Sequence, residues 1–167
     1  NPRGAEGKTS GMPLAPGTQA PDFVLKSSDA GFPEVRFSDI YADKQVVLLF
    51  FPAAFSGVCT TEMCGIKTGQ FLTPDENTAV VGVSVDSPFA QAAWKEKEGI
   101  PAVLLSDYSH KVIHEYDVAF PNFAGTGGES AARAVYVIAK GGEIKYSAQT
   151  ASPGELPDFD AVRAALD

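Results

Sequence analysis

Two cysteines, Cys59 and Cys64, are the only ones among 167 residues, and both lie in Phe51-Pro-Ala-Ala-Phe-Ser-Gly-Val-Cys59-Thr-Thr-Glu-Met-Cys64, directly after the apolar run Val46 to Phe51. An apolar run that ends in Pro and Gly and then turns to helix-permissive residues reads as a strand feeding a helix, with Cys59 in the first turn. A helix start presents unpaired backbone NH groups and a positive dipole end, and both favour a thiolate over a thiol. Cys59 is therefore the candidate nucleophile of a thiol enzyme. The competing reading is a buried cysteine acting as a small hydrophobe. Against it, Cys59 sits at the turn end of the apolar run, follows Ser56 by three residues and precedes Cys64 by five.

Ser56 to Cys59 is the spacing from an N-cap to N3, so the Ser56 hydroxyl is expected to bond the Cys59 NH or to turn toward its sulfur; plain capping is the simpler role, and both can hold. Glu62 falls in the first helical turn, either as a dipole-favoured surface carboxylate or as a group orienting a base near the site. A bare carboxylate disfavours a neighbouring thiolate, so the site needs a cation. Arg133 is the candidate, because it opens the apolar strand Ala134 to Ile138, where a guanidinium must reach a partner or snorkel to water. In an intact helix the alpha carbons of Cys59 and Cys64 lie roughly 8 to 9 Å apart and about 140° around the axis from each other. A disulfide spans at most about 7 Å. A static bridge is disfavoured, and a bond formed during turnover requires a turn of helix to unwind. Thr60, Thr61, Gly57 and Gly65 are weak helix formers that ease this.

These residues need a scaffold, and the remaining pattern supplies one. Phe23 to Leu25 and Val35 to Phe37 flank a polar turn and read as a hairpin. The strand Val46 to Phe51 leads into the cysteine helix, which is expected to run to about Phe71. A second apolar strand, Ala79 to Val85, is followed by a helix from Ser87 to Lys97 carrying Trp94, which reads as core. A short strand Val103 to Leu105 and a short helix Lys111 to Tyr116 come next. The chain closes with Ala134 to Ile138, a Gly141-Gly142 turn, Glu143 to Tyr146 and a helix from Asp158 to Leu166. Alternating strands and helices ending in a hairpin imply a central mixed sheet with helices on both faces, and an α/β thioredoxin-like fold with an N-terminal β-hairpin fits. The segment from Pro121 to Ala132 carries three glycines but no Gly-Lys-Ser/Thr, so it reads as a mobile connection and not a phosphate cradle.

The composition narrows the function classes. A chain of 167 residues with 44% hydrophobic content is one domain that needs no metal or disulfide staple. Residues 1–12 read as a flexible tail or an expression remnant, and residues 13–167 as the domain. A formal charge of -8, from 13 basic and 21 acidic residues, argues against nucleic acid or an anionic membrane as partner. With no long apolar stretch and no secretory core at the start, a cytoplasmic, reducing setting is expected.

The pattern Pro52-x-x-x-Ser56-x-x-Cys59, with Arg133 opening a late strand, resembles the peroxiredoxin signature Pro-x-x-x-Thr/Ser-x-x-Cys. Cys64, five residues after Cys59, resembles the arrangement in the peroxiredoxin Q, or bacterioferritin comigratory protein, subfamily. The likeness extends from about Pro13 to the end, through Ala20-Pro-Asp-Phe23 and Gly82-Val-Ser-Val-Asp86. Ser56 where Thr is commoner and the segment from Pro121 to Ala132 are its departures. The resemblance implies a peroxidatic Cys59 that becomes a sulfenic acid, a resolving Cys64 that condenses with it, and thioredoxin or a similar dithiol as reductant. It further implies charge stabilisation by Ser56 and Arg133, a pocket shaped by Pro52 and a supporting role for Glu62. Hydrogen peroxide and organic hydroperoxides are the expected substrates, no cofactor is expected, and the chain is expected as a monomer or weak homodimer. Two rivals stand beside this. A thioredoxin-like disulfide oxidoreductase would share the fold but usually carries Cys-x-x-Cys. A zinc-binding module would use Cys59, Cys64, His110 and His114, in a spacing that matches no common finger. The simpler reading of the two histidines is as surface helix residues.

Overall fold

A computed structural model of the chain describes residues 12–167, so the tail expected over residues 1–12 lies, but for Met12, outside the described residues. The strands are β1 (Val24–Ser27), β2 (Glu34–Arg36), β3 (Gln45–Phe50), β4 (Thr78–Ser84), β5 (Val103–Ser106), β6 (Ala119–Phe120), β7 (Ser130–Ala131), β8 (Ala134–Ile138) and β9 (Ile144–Gln149). The helices are α1 (Phe37–Asp43), α2 (Gly57–Lys67), α3 (Pro88–Glu98), α4 (Lys111–Glu115) and α5 (Phe159–Ala164), with a 3-10 turn at Phe123–Gly125. Seven strands form one mixed sheet in the order β2-β1-β5-β4-β3-β8-β9, and β6 pairs with β7 separately. The parallel centre is β3-β4-β5, flanked by antiparallel β8 on one side and β1 on the other.

The alternation of side chains along β3 divides the interior in two. Val46, Leu48 and Phe50 join a cluster with Phe37 of α1 and with Val112 and Ile113 of α4. Val47, Leu49 and Phe51 join a second cluster with Cys59, Met63 and Ile66 of α2, Trp94 of α3, and Phe159 and Val162 of α5. The sheet is thus covered on both faces, which is why β3 and β4 read as unbroken apolar runs. Trp94 is fully buried against the Phe51 ring, as expected of a core residue.

Four local expectations are corrected. Phe37 is not the end of the hairpin; it begins α1, which the sequence pattern hides. The cap of that helix is remote: Arg36 makes no side-chain capping bond, while the Asp22 carboxylate accepts from the Ser38 NH at 2.8 Å and from the Ser38 hydroxyl at 2.8 Å. The cysteine helix stops at Lys67, short of Phe71, because Gly69 takes φ 78° and its NH turns back to the Ile66 carbonyl. β9 runs on to Gln149, paired along β8. The short pair β6-β7 closes the base of the segment that follows Phe120.

Gly82 of β4 decides how closely α2 approaches the sheet. A Cβ there would lie 2.8 Å from Leu104 Cδ2, 3.1 Å from Phe51 Cε1 and 3.2 Å from Met63 Cε. These three side chains occupy the space a side chain would take, and Met63 belongs to the helix that carries both cysteines. We expect Gly82→Ala to lower stability by about 1–3 kcal/mol through overpacking, read as a drop in the urea midpoint at constant slope. An unchanged midpoint would show that α2 can shift freely.

Candidate active site

After β3 the chain must turn sharply into α2, and buried hydrogen bonds hold that turn. The Phe51 NH donates to the Val83 carbonyl at 3.1 Å, and Pro52 is buried in the bend that follows. Asp86 accepts from the Ala54 NH at 2.8 Å and from the Ser84 hydroxyl at 2.7 Å. Gln91 of α3 donates to Ser84 Oγ and to the Leu105 carbonyl, both at 2.9 Å. Phe55 takes φ 66°, a left-handed conformation that costs a bulky residue of order 1 kcal/mol or more. The Asp86 anchor on one side of Phe55 and the start of α2 on the other impose that conformation. The Phe55 ring is exposed beneath Lys97, whose ammonium lies 5.9 Å from the ring centroid.

Ser56 is the N-cap of α2 by position, but its hydroxyl makes neither expected bond. It donates to the Ala53 carbonyl at 2.9 Å, one turn back along the bend, and makes no capping bond to the helix. The first-turn NH groups of Gly57, Val58 and Cys59 are those a helix cannot pair internally, so an incoming polar group can use them.

Cys59, Glu62 and Arg133 form one buried cluster. Arg133 lies in the bend just before β8 and does not snorkel: it is 2% exposed, and Cys59 and Glu62 are fully buried. Its guanidinium donates through Nη2 to Cys59 Sγ at 3.0 Å, through Nη1 to Glu62 Oε1 at 3.0 Å and through Nε to the Pro153 carbonyl at 2.9 Å. One cation therefore serves two groups able to carry negative charge. Glu62 Oε2 has no hydrogen-bond partner among the described residues, and burial pushes the Glu62 carboxyl up to about 7 against the opposing pull of Arg133. Glu62 is thus buried against Arg133 and is not a surface carboxylate.

A pocket of about 200 Å³ opens over this cluster, lined by Ser56, Gly57, Val58, Phe123, Arg133, Pro153 and Gly154. Pro52 is buried in the preceding bend and does not contribute to that lining. Phe123 comes from the segment read as a mere connection, and Pro153 and Gly154 come from the loop after β9. The first segment is pinned at its far end, where His110 and His114 both meet Glu129 Oε1 at 3.0 Å. Both histidines are thus engaged by Glu129. Among the described residues no group of three or more His, Cys, Asp or Glu side chains is arranged to hold a metal ion.

Cys64 lies on the same unbroken α2 as Cys59, and both are free thiols. Arg133 meets Cys59, while Cys64 is half-buried with its Sγ 3.8 Å from Glu98 Oε2. Burial and the nearby Glu98 carboxylate push the Cys64 thiol up, with Lys67 pulling partly against them. Four contributors were not picked out from the sequence: Asp86, Phe123, Pro153 and Glu98. Asp86 had a signal in the Gly82-Val-Ser-Val-Asp86 stretch; the other three are brought in only by chain reversal.

Glu62 makes stability depend on pH. The folded protein keeps on Glu62 a proton that the unfolded chain releases near its ordinary value of 4.5, up to about 7. Over that window the unfolded state binds fewer protons, so this group's contribution to stability falls as pH rises. Glu62→Gln carries no such proton. Urea unfolding of both proteins should show the wild type losing ground to the variant from about pH 4.5 to about 7, with a constant difference above. A difference independent of pH would mean that Glu62 is ionised throughout.

Comparison with known proteins agrees with this geometry. The chain is 35% identical over 159 residues to the thiol peroxidase of Streptococcus sanguinis, covering 94% of this chain and 91% of that protein. It is also 35% identical over 107 residues to peroxiredoxin Bcp of Bacillus subtilis, covering 64% of this chain and 66% of that one. The crystal structure of a peroxiredoxin-like protein from Aquifex aeolicus superposes with a TM-score of 0.78 at 28% identity, covering 94% of this chain and 89% of that chain. The profile of the AhpC/TSA family matches residues 16–147, and with the thioredoxin-like sheet and the buried Cys59-Arg133 pair this places the chain in that family of peroxiredoxins.

Proposed function

We propose that this chain is a thiol-dependent peroxidase in which Cys59 attacks the peroxide, Cys64 resolves the product and an external dithiol of the thioredoxin type recycles the enzyme. The observation that carries this is the Arg133 Nη2 to Cys59 Sγ contact of 3.0 Å at the start of a helix, beside a pocket that Arg133 also lines. The thiol peroxidase and peroxiredoxin relatives and the family membership support the same chemistry over a disulfide oxidoreductase, which usually carries a Cys-x-x-Cys that this chain lacks.

The steps follow from the placement of charge. The Cys59 thiolate donates an electron pair to one peroxide oxygen; the S–O bond forms as the O–O bond breaks. Negative charge grows on the departing oxygen, where Arg133, the free NH groups of the first α2 turn and the Ser56 hydroxyl can meet it. Ser56 must release the Ala53 carbonyl to do so. The departing oxygen takes up a proton and leaves as water or alcohol, and Cys59 is a sulfenic acid. Val58, Phe123 and Pro153 give the 200 Å³ pocket apolar walls, which suits small organic hydroperoxides as well as hydrogen peroxide. Pro52, buried in the bend before the helix, is assigned the shielding of the intermediate. Cys64 then condenses with the sulfenic acid, and thiol-disulfide exchange returns both thiols. A reducing, cytoplasmic setting and a monomer or weak homodimer complete the reading. Among the described residues no helix is long and apolar enough to cross a membrane.

Cys59→Ser should abolish turnover with hydrogen peroxide and thioredoxin, whereas Cys64→Ser should keep one rapid reaction per chain and lose recycling. Single turnover retained in Cys59→Ser and lost in Cys64→Ser would reverse the two roles. Arg133→Met should slow peroxide reduction by about 10² to 10³, the usual effect of removing one preorganised donor at a developing charge. Stopped-flow oxidation at the wild-type rate would remove Arg133 from the chemistry.

A further inference from the structure

The face of α2 that carries Cys64 is fastened to α3. Thr60, Cys64 and Lys67 recur at i, i+4 and i+7 on α2 and form one stripe. Opposite them, Trp94 and Glu98 stand four residues apart on α3. Trp94 Nε1 donates to Thr60 Oγ1 at 3.2 Å, Cys64 Sγ lies 3.8 Å from Glu98 Oε2, and Lys67 Nζ donates to the Glu98 carbonyl at 3.0 Å. Three contacts thus form a seam, and Glu98 takes part in two of them. The Cys59 sulfur faces elsewhere, onto Arg133.

Resting on the peroxidase reading, we propose that Glu98 is a positioning residue for the second step, a latch that holds Cys64 on α3 and so sets how long the Cys59 sulfenic acid survives. To condense, the Cys64 sulfur must leave Glu98, travel around the α2 axis and reach Cys59. Its electron pair then attacks the sulfenic sulfur; the S–S bond forms, the S–O bond breaks, and the departing hydroxide takes the Cys64 proton to become water. The sulfenic acid is reduced as Cys64 is oxidised, so no further reactant enters. The latch opposes this twice. It holds the sulfur in place, and the Glu98 charge disfavours the thiolate that attacks, with Lys67 as the counter-charge on the same seam. While Cys64 stays latched, a second peroxide can carry Cys59 on to sulfinic acid.

The test compares the wild type with Glu98→Gln, which keeps the shape and removes the charge, and with Glu98→Ala, which removes both. Trp94, the single tryptophan and itself part of the seam, reports opening by stopped-flow fluorescence. Sulfenic acid formation and disulfide formation are followed separately by mass after acid quench. The condensation rate should rise about threefold to tenfold in Glu98→Ala, the factor one modest hydrogen bond is worth. In Glu98→Gln the condensation should accelerate from a lower pH than in the wild type. Sulfinic acid at a given excess of peroxide should fall in both. Condensation at the wild-type rate and pH in both variants, or slower in either, would overturn the latch. A wild type that forms no sulfenic acid would overturn the peroxidase reading and the latch with it.

Discussion

One buried guanidinium governs this site. Arg133 is 2% exposed and meets two fully buried acidic groups, the Cys59 thiol and the Glu62 carboxyl. A buried cation without an anion is costly, and so is a buried anion without a cation. Glu62 shows the effect of that burial: desolvation makes its carboxyl hold its proton far above the ordinary range, against the opposing pull of Arg133. The Pro153 carbonyl occupies the remaining edge of the guanidinium and fixes its plane.

That cluster can form only because α2 lies very close to the sheet. Gly82 removes the side chain that would hold Met63 away, and Asp86 ties the Ala54 NH so that the chain enters the helix at a fixed angle. Phe55 accepts a left-handed backbone as part of this arrangement. The strain is local, and the buried packing of Phe51, Met63 and Trp94 surrounds it.

The same helix meets two opposing demands. It must be whole to offer its free NH groups and to hold Cys59 on Arg133, and a whole helix keeps Cys64 out of disulfide reach. The seam with α3 favours the whole state. Thr60, Thr61 and Gly65 weaken the helix from within, so the balance between the two states lies in contacts of modest strength, each open to adjustment by a single residue.

Sequence alone singled out Cys59 as the candidate nucleophile, its position at a strand-to-helix turn, the five-residue interval to Cys64 and the central apolar strands. Each rests on spacing along the chain or on burial, and both leave a periodic trace. It also picked out Arg133, because a guanidinium beside an apolar strand needs a partner. The tertiary structure alone decided what lies across the fold: Asp22 capping α1 from sixteen residues away, Phe123 and Pro153 walling the pocket, Glu98 beside Cys64. It also turned the Ser56 hydroxyl onto Ala53, against the local capping rule. The physical reason is that these groups act through space across chain reversals, where the energy of a contact leaves no period in the sequence, whereas the buried strands and the turn into the cysteine helix are written in nearest neighbours.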